Sequence, residues 1–205
     1  MSIIATITTS IDGYIAGPDD KPGQGLGRGG ERLHNWVMGG PWTYDDVPDD
    51  PDNEGMAGTD KAFLDELTAN VGAGICGRGM YDSSEAWGGT NPFGGTLYVV
   101  THRTAEAPDP ATGFVFVDGL DDALRQATEA AKATGRGDVA ISGGASVIRQ
   151  ALAAGHVDEL AISTAPLVLG AGKRLFDGFD HDIDLEIVEA YPSRLATHVR
   201  YRVKR

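Results

Sequence analysis

The sequence predicts an α/β fold: a mostly parallel central sheet with helices on both faces and an antiparallel hairpin at its C-terminal end. Three observations carry this. Short β-branched runs alternate with helix-like stretches, as strands buried between layers of helices do. Two strand-to-helix junctions are built of glycine, which suits tight turns and close backbone approach. The last two strand-like segments alternate apolar and polar residues with no helix between them, as a half-exposed antiparallel pair does.

Taken in order, residues 3–9 (Ile-Ile-Ala-Thr-Ile-Thr-Thr) are rich in β-branched side chains and belong in a central strand. The strand ends at the turn signal Asp12-Gly13, and Tyr14, Ile15 and Ala16 form a short extended piece. Residues 17–30 are crowded with Gly, Pro and Asp, and a loop of that length in a compact domain marks function or mobility. Residues 31–38 fit a short helix. Residues 36–58 read as an irregular insertion whose acidic run, 45–52, has little to bury.

Thr59 is the predicted N-cap of a helix bearing Phe63, Leu64 and Leu67 on one stripe. Strands are expected at 73–76, 96–100 and 114–117. A helix over 121–134 puts Ala123, Leu124, Ala127 and Ala131 on one side and stops at Gly135. A strand at 138–142, a helix at 146–154 closed by Gly155 and a strand at 159–163 follow. Residues 183–190 and 196–203 form the terminal pair. We expect one domain over residues 1–205.

The bulk numbers exclude some functions. With 205 residues, 41% of them hydrophobic, the chain can build a sizeable core. Thirty acids against seventeen bases give a formal charge of −13, which repels phosphate backbones and anionic lipid. A small-molecule partner is the better expectation than nucleic acid or membrane. One cysteine, Cys76, permits no internal disulfide, and its apolar neighbours mark it as a core thiol. The N-terminus runs straight into strand-like sequence without the pattern of a secretory signal, and no apolar stretch approaches a membrane span. The cytoplasm is the expected location.

The strongest local signal is the passage from residues 138–142 into Gly143-Gly144-Ala145-Ser146-Val147-Ile148: a buried strand, two glycines, then a helix. Paired glycines let the backbone approach a phosphate, and free amides at the helix start carry partial positive charge. A second junction, Gly77-Arg78-Gly79-Met80, has the same shape. A third, Thr101-His102-Arg103 after a strand, clusters hydroxyl, imidazole and guanidinium donors. In an open α/β sheet all three lie outside the carboxyl ends of the strands, where ligands bind. Arg78 and Arg103 suit a 2′-phosphate, since guanidinium forks match phosphate oxygens, although either also fits an ordinary surface cation.

Five segments in order, Ser10-Ile11-Asp12-Gly13-Tyr14-Ile15-Ala16, Gly77-Arg78-Gly79-Met80, Val100-Thr101-His102-Arg103, Ser142-Gly143-Gly144-Ala145 and the stretch 168–176, resemble the reductase domain of riboflavin-biosynthesis enzymes (the C-terminal domain of RibD) and its dihydrofolate-reductase-like relatives. The resemblance implies a three-layer dihydrofolate-reductase-like sandwich, NADPH as cofactor and a homodimer. Gly77, Arg78, Gly79 and Met80 would open the helix along the cofactor, with Arg78 near the adenosine 2′-phosphate. Thr101, His102 and Arg103 would hold the adenine-ribose end. Ser142, Gly143, Gly144, Ala145, Ser146, Val147 and Ile148 would hold the pyrophosphate, with the peptide between the glycines often cis in relatives. Thr8, Ile15 and Ala16 would approach the nicotinamide, and Leu169 and Gly170 the substrate or a second subunit.

The resemblance implies an oxidoreductase that moves hydride to a C=N or C=O bond of a small heterocycle, as 5-amino-6-(5-phosphoribosylamino)uracil reductase does. The chain departs from its relatives on the substrate side. Where dihydrofolate reductases carry a Leu-Pro-x-Asp or Leu-Pro-x-Glu helix, it reads Gly29-Gly30-Glu31-Arg32-Leu33-His34, which argues against folate. Tyr14 stands where the riboflavin enzymes usually have a basic residue, and residues 81–87 replace their Asp-Asp-Pro segment. Glu31 and His34 share a helical face and are candidate substrate-side proton donors, with ordinary surface roles as the alternative. No catalytic residue is assigned and no zinc ligands are indicated.

Three competing readings remain: a dihydrofolate reductase, an NADPH-binding or ligand-sequestering protein without turnover, and a flavin-binding electron-transfer module. The literal G-x-G-x-x-G match at residues 25–30 follows a loop instead of a strand, so it reads as a flap near the active site. Trp36, Trp42 and Trp87 suit either a planar-substrate pocket or the core.

Overall fold

A computed structural model describes residues 1–45 and 55–204, so most of the acidic run lies outside the described residues. The first strand, β1 (Ile3–Ser10), is an inner strand of an eight-stranded sheet, as its β-branched composition predicts. The others are β3 (Val71–Gly77), β4 (Thr96–Val100), β5 (Phe114–Val117), β6 (Asp138–Ile141), β7 (Glu159–Ala165), β9 (Leu185–Pro192) and β10 (Thr197–Val203). Their order is β5-β4-β3-β6-β1-β7-β10-β9. Neighbours from β5 through β7 are parallel, while β10 pairs antiparallel with both β7 and β9. A separate two-stranded ribbon joins β2 (Tyr14–Ala16) to β8 (Lys173–Arg174).

The helices are α1 (Asn35–Met38), α2 (Gly58–Thr68), α3 (Arg78–Ser83), α4 (Leu120–Ala133) and α5 (Ala145–Ala153). The expected helix over 31–38 is split into a 3-10 turn, Glu31–His34, and α1. Thr59 is not a cap. The chain enters α2 through extended Ala57, so Thr59 falls in the first turn and no side chain caps the helix. Strand β7 runs past the expected end to Ala165, because Thr8, Thr9 and Ser10 of β1 pair with residues 163–165. No helix among the described residues is long and apolar enough to cross a membrane.

Strand alternation divides the core. On one face Ala5, Ala73, Ile75, Tyr98, Val139 and Ile141 pack against Ala123, Leu124 and Ala127 of α4 and Val147, Ile148 and Ala151 of α5. The opposite face carries two smaller clusters. One joins Ile4 and Ala161 to Trp36 and to Phe63 and Leu67 of α2; the other joins Cys76, Leu97 and Val99 to Phe114 and Phe116, with Met80, Tyr81 and Trp87 against them. Between these two clusters the intervening strands present only small side chains, Thr6, Gly74 and Ala140, and all three border a cavity.

Candidate functional site

Strands β3 and β6 are neighbours, so the two glycine junctions meet. The Gly77 amide donates to the Gly143 carbonyl at 2.8 Å, and the Ser142 amide to the Ile75 carbonyl at 3.0 Å. A Cβ on Gly77 would sit 2.9 Å from Val147 Cγ2, so glycine is what lets the first turn of α5 rest on the end of β3. Gly143 has φ +129°, and the Gly143–Gly144 peptide is cis. A Cβ on Gly79 or Gly144 would meet nothing within 4 Å; the backbone there borders open space. Helix α5 starts without a side-chain cap, which leaves first-turn amides to a ligand or solvent.

That open space belongs to one cavity of about 1600 Å³. Along the carboxyl ends of the strands it is lined by Gly77, Arg78, Gly79 and Met80, by Thr101 and His102, and by Ser142, Gly143, Gly144, Ala145, Ser146 and Val147. Thr8, Ile15, Ala16 and His34 join it deeper in. It then continues over the sheet face as a trough floored by Thr6, Gly74 and Ala140. Leu64 and Leu67 of α2 line it too, as do Trp87 and Phe93, whose rings meet edge to face at 5.2 Å.

Several expected site residues do not reach the cavity. Ile148 is fully buried in the core, because helical periodicity turns it inward with Ala151 and Leu152. Arg103 is outside the lining, its guanidinium held by Asp82 at 3.0 Å and Glu106 at 3.7 Å. Glu31 is also outside; its carbonyl accepts from Trp42 Nε1 at 2.9 Å. Leu169 and Gly170 do not line the cavity either, and their amides donate to the Asp12 carboxylate at 3.1 and 2.7 Å.

The two segments around Asp12 and Gly170 form a clasp. Asp12 also accepts from Ser10 Oγ at 2.6 Å, and the Leu175 amide donates to the Gly13 carbonyl at 2.9 Å. The hydrogen bonds from Ser10, Gly170 and Leu169 hold the Asp12 carboxyl down to about 2, the Ser10 hydroxyl contributing most. Beside them Tyr14 pairs with Arg174 and Ala16 with Lys173. The clasp fixes the backbone that presents Ile15 and Ala16 to the cavity. The loop before the 3-10 turn is tied in as well: Gly17 N donates to Leu26 O at 2.7 Å and Leu26 N to Tyr44 Oη at 2.8 Å, which sets Gly25 and Leu26 at the cavity wall.

Arg78 closes a network with Arg103. Its Nε and Nη2 meet Asp82 at 2.6 Å and Glu106 at 2.7 Å, and its guanidinium lies 5.0 Å from the Phe116 ring centre. His102 is exposed and pairs with Asp118. His34 is half-buried, and burial pushes its imidazole down to about 4, so it is neutral at neutral pH and is not primed as an acid. Cys76 is fully buried, its thiol raised to about 12 by desolvation, as befits a core side chain. Trp36 is buried in the core and donates its Nε1–H to Thr8 Oγ1 at 3.1 Å, and both it and Trp87 line the cavity.

Sequence reasoning missed one buried polar chain. Ser163 on β7 borders the cavity, its Oγ 2.7 Å from Nδ1 of His198 on β10, and His198 Nε2 is 2.8 Å from Oδ1 of Asp60 on α2. His198 is fully buried and stacked 4.2 Å from Phe63. Burial lowers its imidazole more than Asp60 raises it, which favours a neutral ring that donates to Asp60 and accepts from Ser163. Along β10 His198 shares its face with Arg200 and Arg202, so the local alternation gave no sign that this histidine is buried.

The chain is matched over residues 1–197 by the family model described as the RibD C-terminal domain. A search of curated proteins gives no match. Among solved structures, a protein of Shewanella sp. PV-4 described as a riboflavin biosynthesis protein is similar with a TM-score of 0.69 and 22% identity, each chain covered fully. The dihydrofolate reductase of Enterococcus faecalis complexed with NADP(H) and RAB-propyl gives 0.62 and 16%, covering all of this chain and 97% of the other. A pyrimidine reductase-like protein of Corynebacterium diphtheriae gives 0.58 and 16%, covering all of this chain and 92% of the other. The fold is therefore dihydrofolate-reductase-like, and a chain matched over nearly its whole length by that model belongs to the RibD C-terminal domain family.

Proposed function

We propose that the chain is an NADPH-dependent reductase that moves hydride to a C=N or C=O bond of a small heterocyclic substrate. The observation that carries this is the single cavity joining a glycine-built cradle at the strand ends to an apolar trough over the sheet. A volume of about 1600 Å³ exceeds what one small ligand needs, since drug-sized sites run to roughly 300–1000 Å³. It has room for a dinucleotide and a second reactant side by side.

The residues fit the coenzyme. Gly79 and Gly144 leave space where a Cβ would stand, the α5 start offers unpaired amides to the pyrophosphate, and Thr101 and Arg78 border the adenosine end. The coenzyme supplies the hydride when bound; the protein positions it and keeps water away. Thr8, His34 and Ser163 are polar groups placed to hold the substrate's polar edge against the apolar walls of Leu64, Trp87 and Phe93. A relative of similar fold is described as complexed with NADP(H), which supports the coenzyme reading.

The test is titration of the purified chain with NADPH, then NADPH consumption with a panel of pterins, pyrimidines and quinones. Binding with turnover on a heterocycle supports the reading. Binding with no turnover points to a ligand-holding protein, and no binding removes the proposal.

A further inference from the structure

We propose that Asp82 and Glu106 set the coenzyme selectivity of this site, so that it accepts NADH alongside NADPH. The inference rests on the placement of the adenosine end beside Arg78. The two arginines expected to read a 2′-phosphate are already engaged. Arg78 Nε meets Asp82 at 2.6 Å and Nη2 meets Glu106 at 2.7 Å, while Arg103 reaches the same two carboxylates at 3.0 and 3.7 Å. Two guanidinium and two carboxylate groups form a closed square with a formal charge of zero, so an arriving phosphate meets no net positive field.

Asp82 and Glu106 do not line the cavity, so they act on the coenzyme through Arg78, which does. An arginine accommodates a 2′-phosphate, and one whose charge is balanced by carboxylates loses that advantage over a ribose without it. NADPH remains a ligand for two reasons. Arg78 Nη1 is buried without a hydrogen-bond partner, which leaves one guanidinium donor uncommitted. Asp82 and Glu106 are 38% and 50% exposed, and ion pairs so open to water part easily. The aromatic rings of Tyr81 and Phe116 hold the Arg78 guanidinium in place when its carboxylate partners move.

Titrations of the full-length chain with NADPH and NADH, read by coenzyme fluorescence at fixed ionic strength, test the proposal. The wild-type dissociation constants should lie within about tenfold of each other, and Glu106→Gln should move their ratio about three- to tenfold toward NADPH, the effect of one unit charge near a phosphate at a wet surface. Asp82→Asn should move it the same way, and the double variant further. The ratio is the readout because a damaged fold would weaken both coenzymes together. A wild-type preference for NADPH above about a hundredfold, or a ratio unmoved in the double variant, overturns the selectivity proposal and leaves the reductase reading standing. Failure of the wild type to bind either coenzyme overturns both.

Discussion

The two ends of the cavity are built by different means. The coenzyme end is made of backbone: glycines at 77, 79, 143 and 144, a helix start and the residues immediately after strand ends. The trough end is made of side chains brought from far apart, with Trp87 and Phe93 on one wall, α2 on the other, and behind it a polar chain from residues 60, 163 and 198. A backbone cradle is encoded locally and serves any ligand carrying the same phosphates. A side-chain trough is encoded by tertiary packing and can change its occupant while the fold stays the same. The two ends should therefore respond differently to substitution.

The largest expected effect comes from filling the backbone cradle. Gly79 lies in α3 and a Cβ there meets nothing within 4 Å, so Gly79→Leu puts a good helix former where glycine costs about 1 kcal/mol. The melting temperature should hold or rise. Coenzyme binding should fall by about thirtyfold or more, since a side chain in a ligand's place costs about 2 kcal/mol. Calorimetric titration beside a thermal melt separates the two quantities, and unchanged affinity would remove Gly79 from the cradle.

The trough end should show the opposite pattern, stability lost before affinity. His198→Leu leaves the Asp60 carboxylate, 6% exposed, without its imidazole partner, and breaking a buried polar pair on one side costs about 3 kcal/mol. Asp60→Asn keeps a hydrogen-bonding group at the same place and should cost about 1 kcal/mol. Chemical denaturation of both variants measures the difference. Coenzyme affinity of the folded protein should change little in either, because neither residue lines the cavity.

This contrast also explains what the sequence disclosed. Strand positions, the antiparallel end and the glycine junctions rest on periodicity and local backbone demands, and the structure places them within a few residues of expectation. The motif around Leu169 and Gly170 was legible as a motif but not as a role: its amides are consumed by Asp12, a contact spanning 157 residues that no local pattern reports. Arg103 and Ile148 lie outside the cavity lining for related reasons. A position next to a motif does not say which way a side chain turns, and Asp82 and α5 packing decided that. The Asp60–His198 bond, 138 residues apart in sequence, lies wholly in the part that only packing reveals.

The smallest expected effect is a pH dependence at the boundary between the two ends. His34 lines the cavity, and burial holds its imidazole at about 4 against an ordinary value of 6.5. Between those two values the unfolded chain binds more protons at this residue than the folded one, so stability falls as the pH is lowered through that window. The contribution is complete above about 6.5. For a half-buried ring, solvent screening reduces the loss expected by pH 4 to about 1 kcal/mol. Carboxylates titrate in the lower part of the same window, so the informative quantity is the stability of the wild type minus that of His34→Asn at each pH. That difference should decline from pH 7 to pH 4 and level off on either side. A flat difference would show that the imidazole is as well solvated in the folded chain as in the unfolded one, and that the inner cavity is wetter than its apolar walls require.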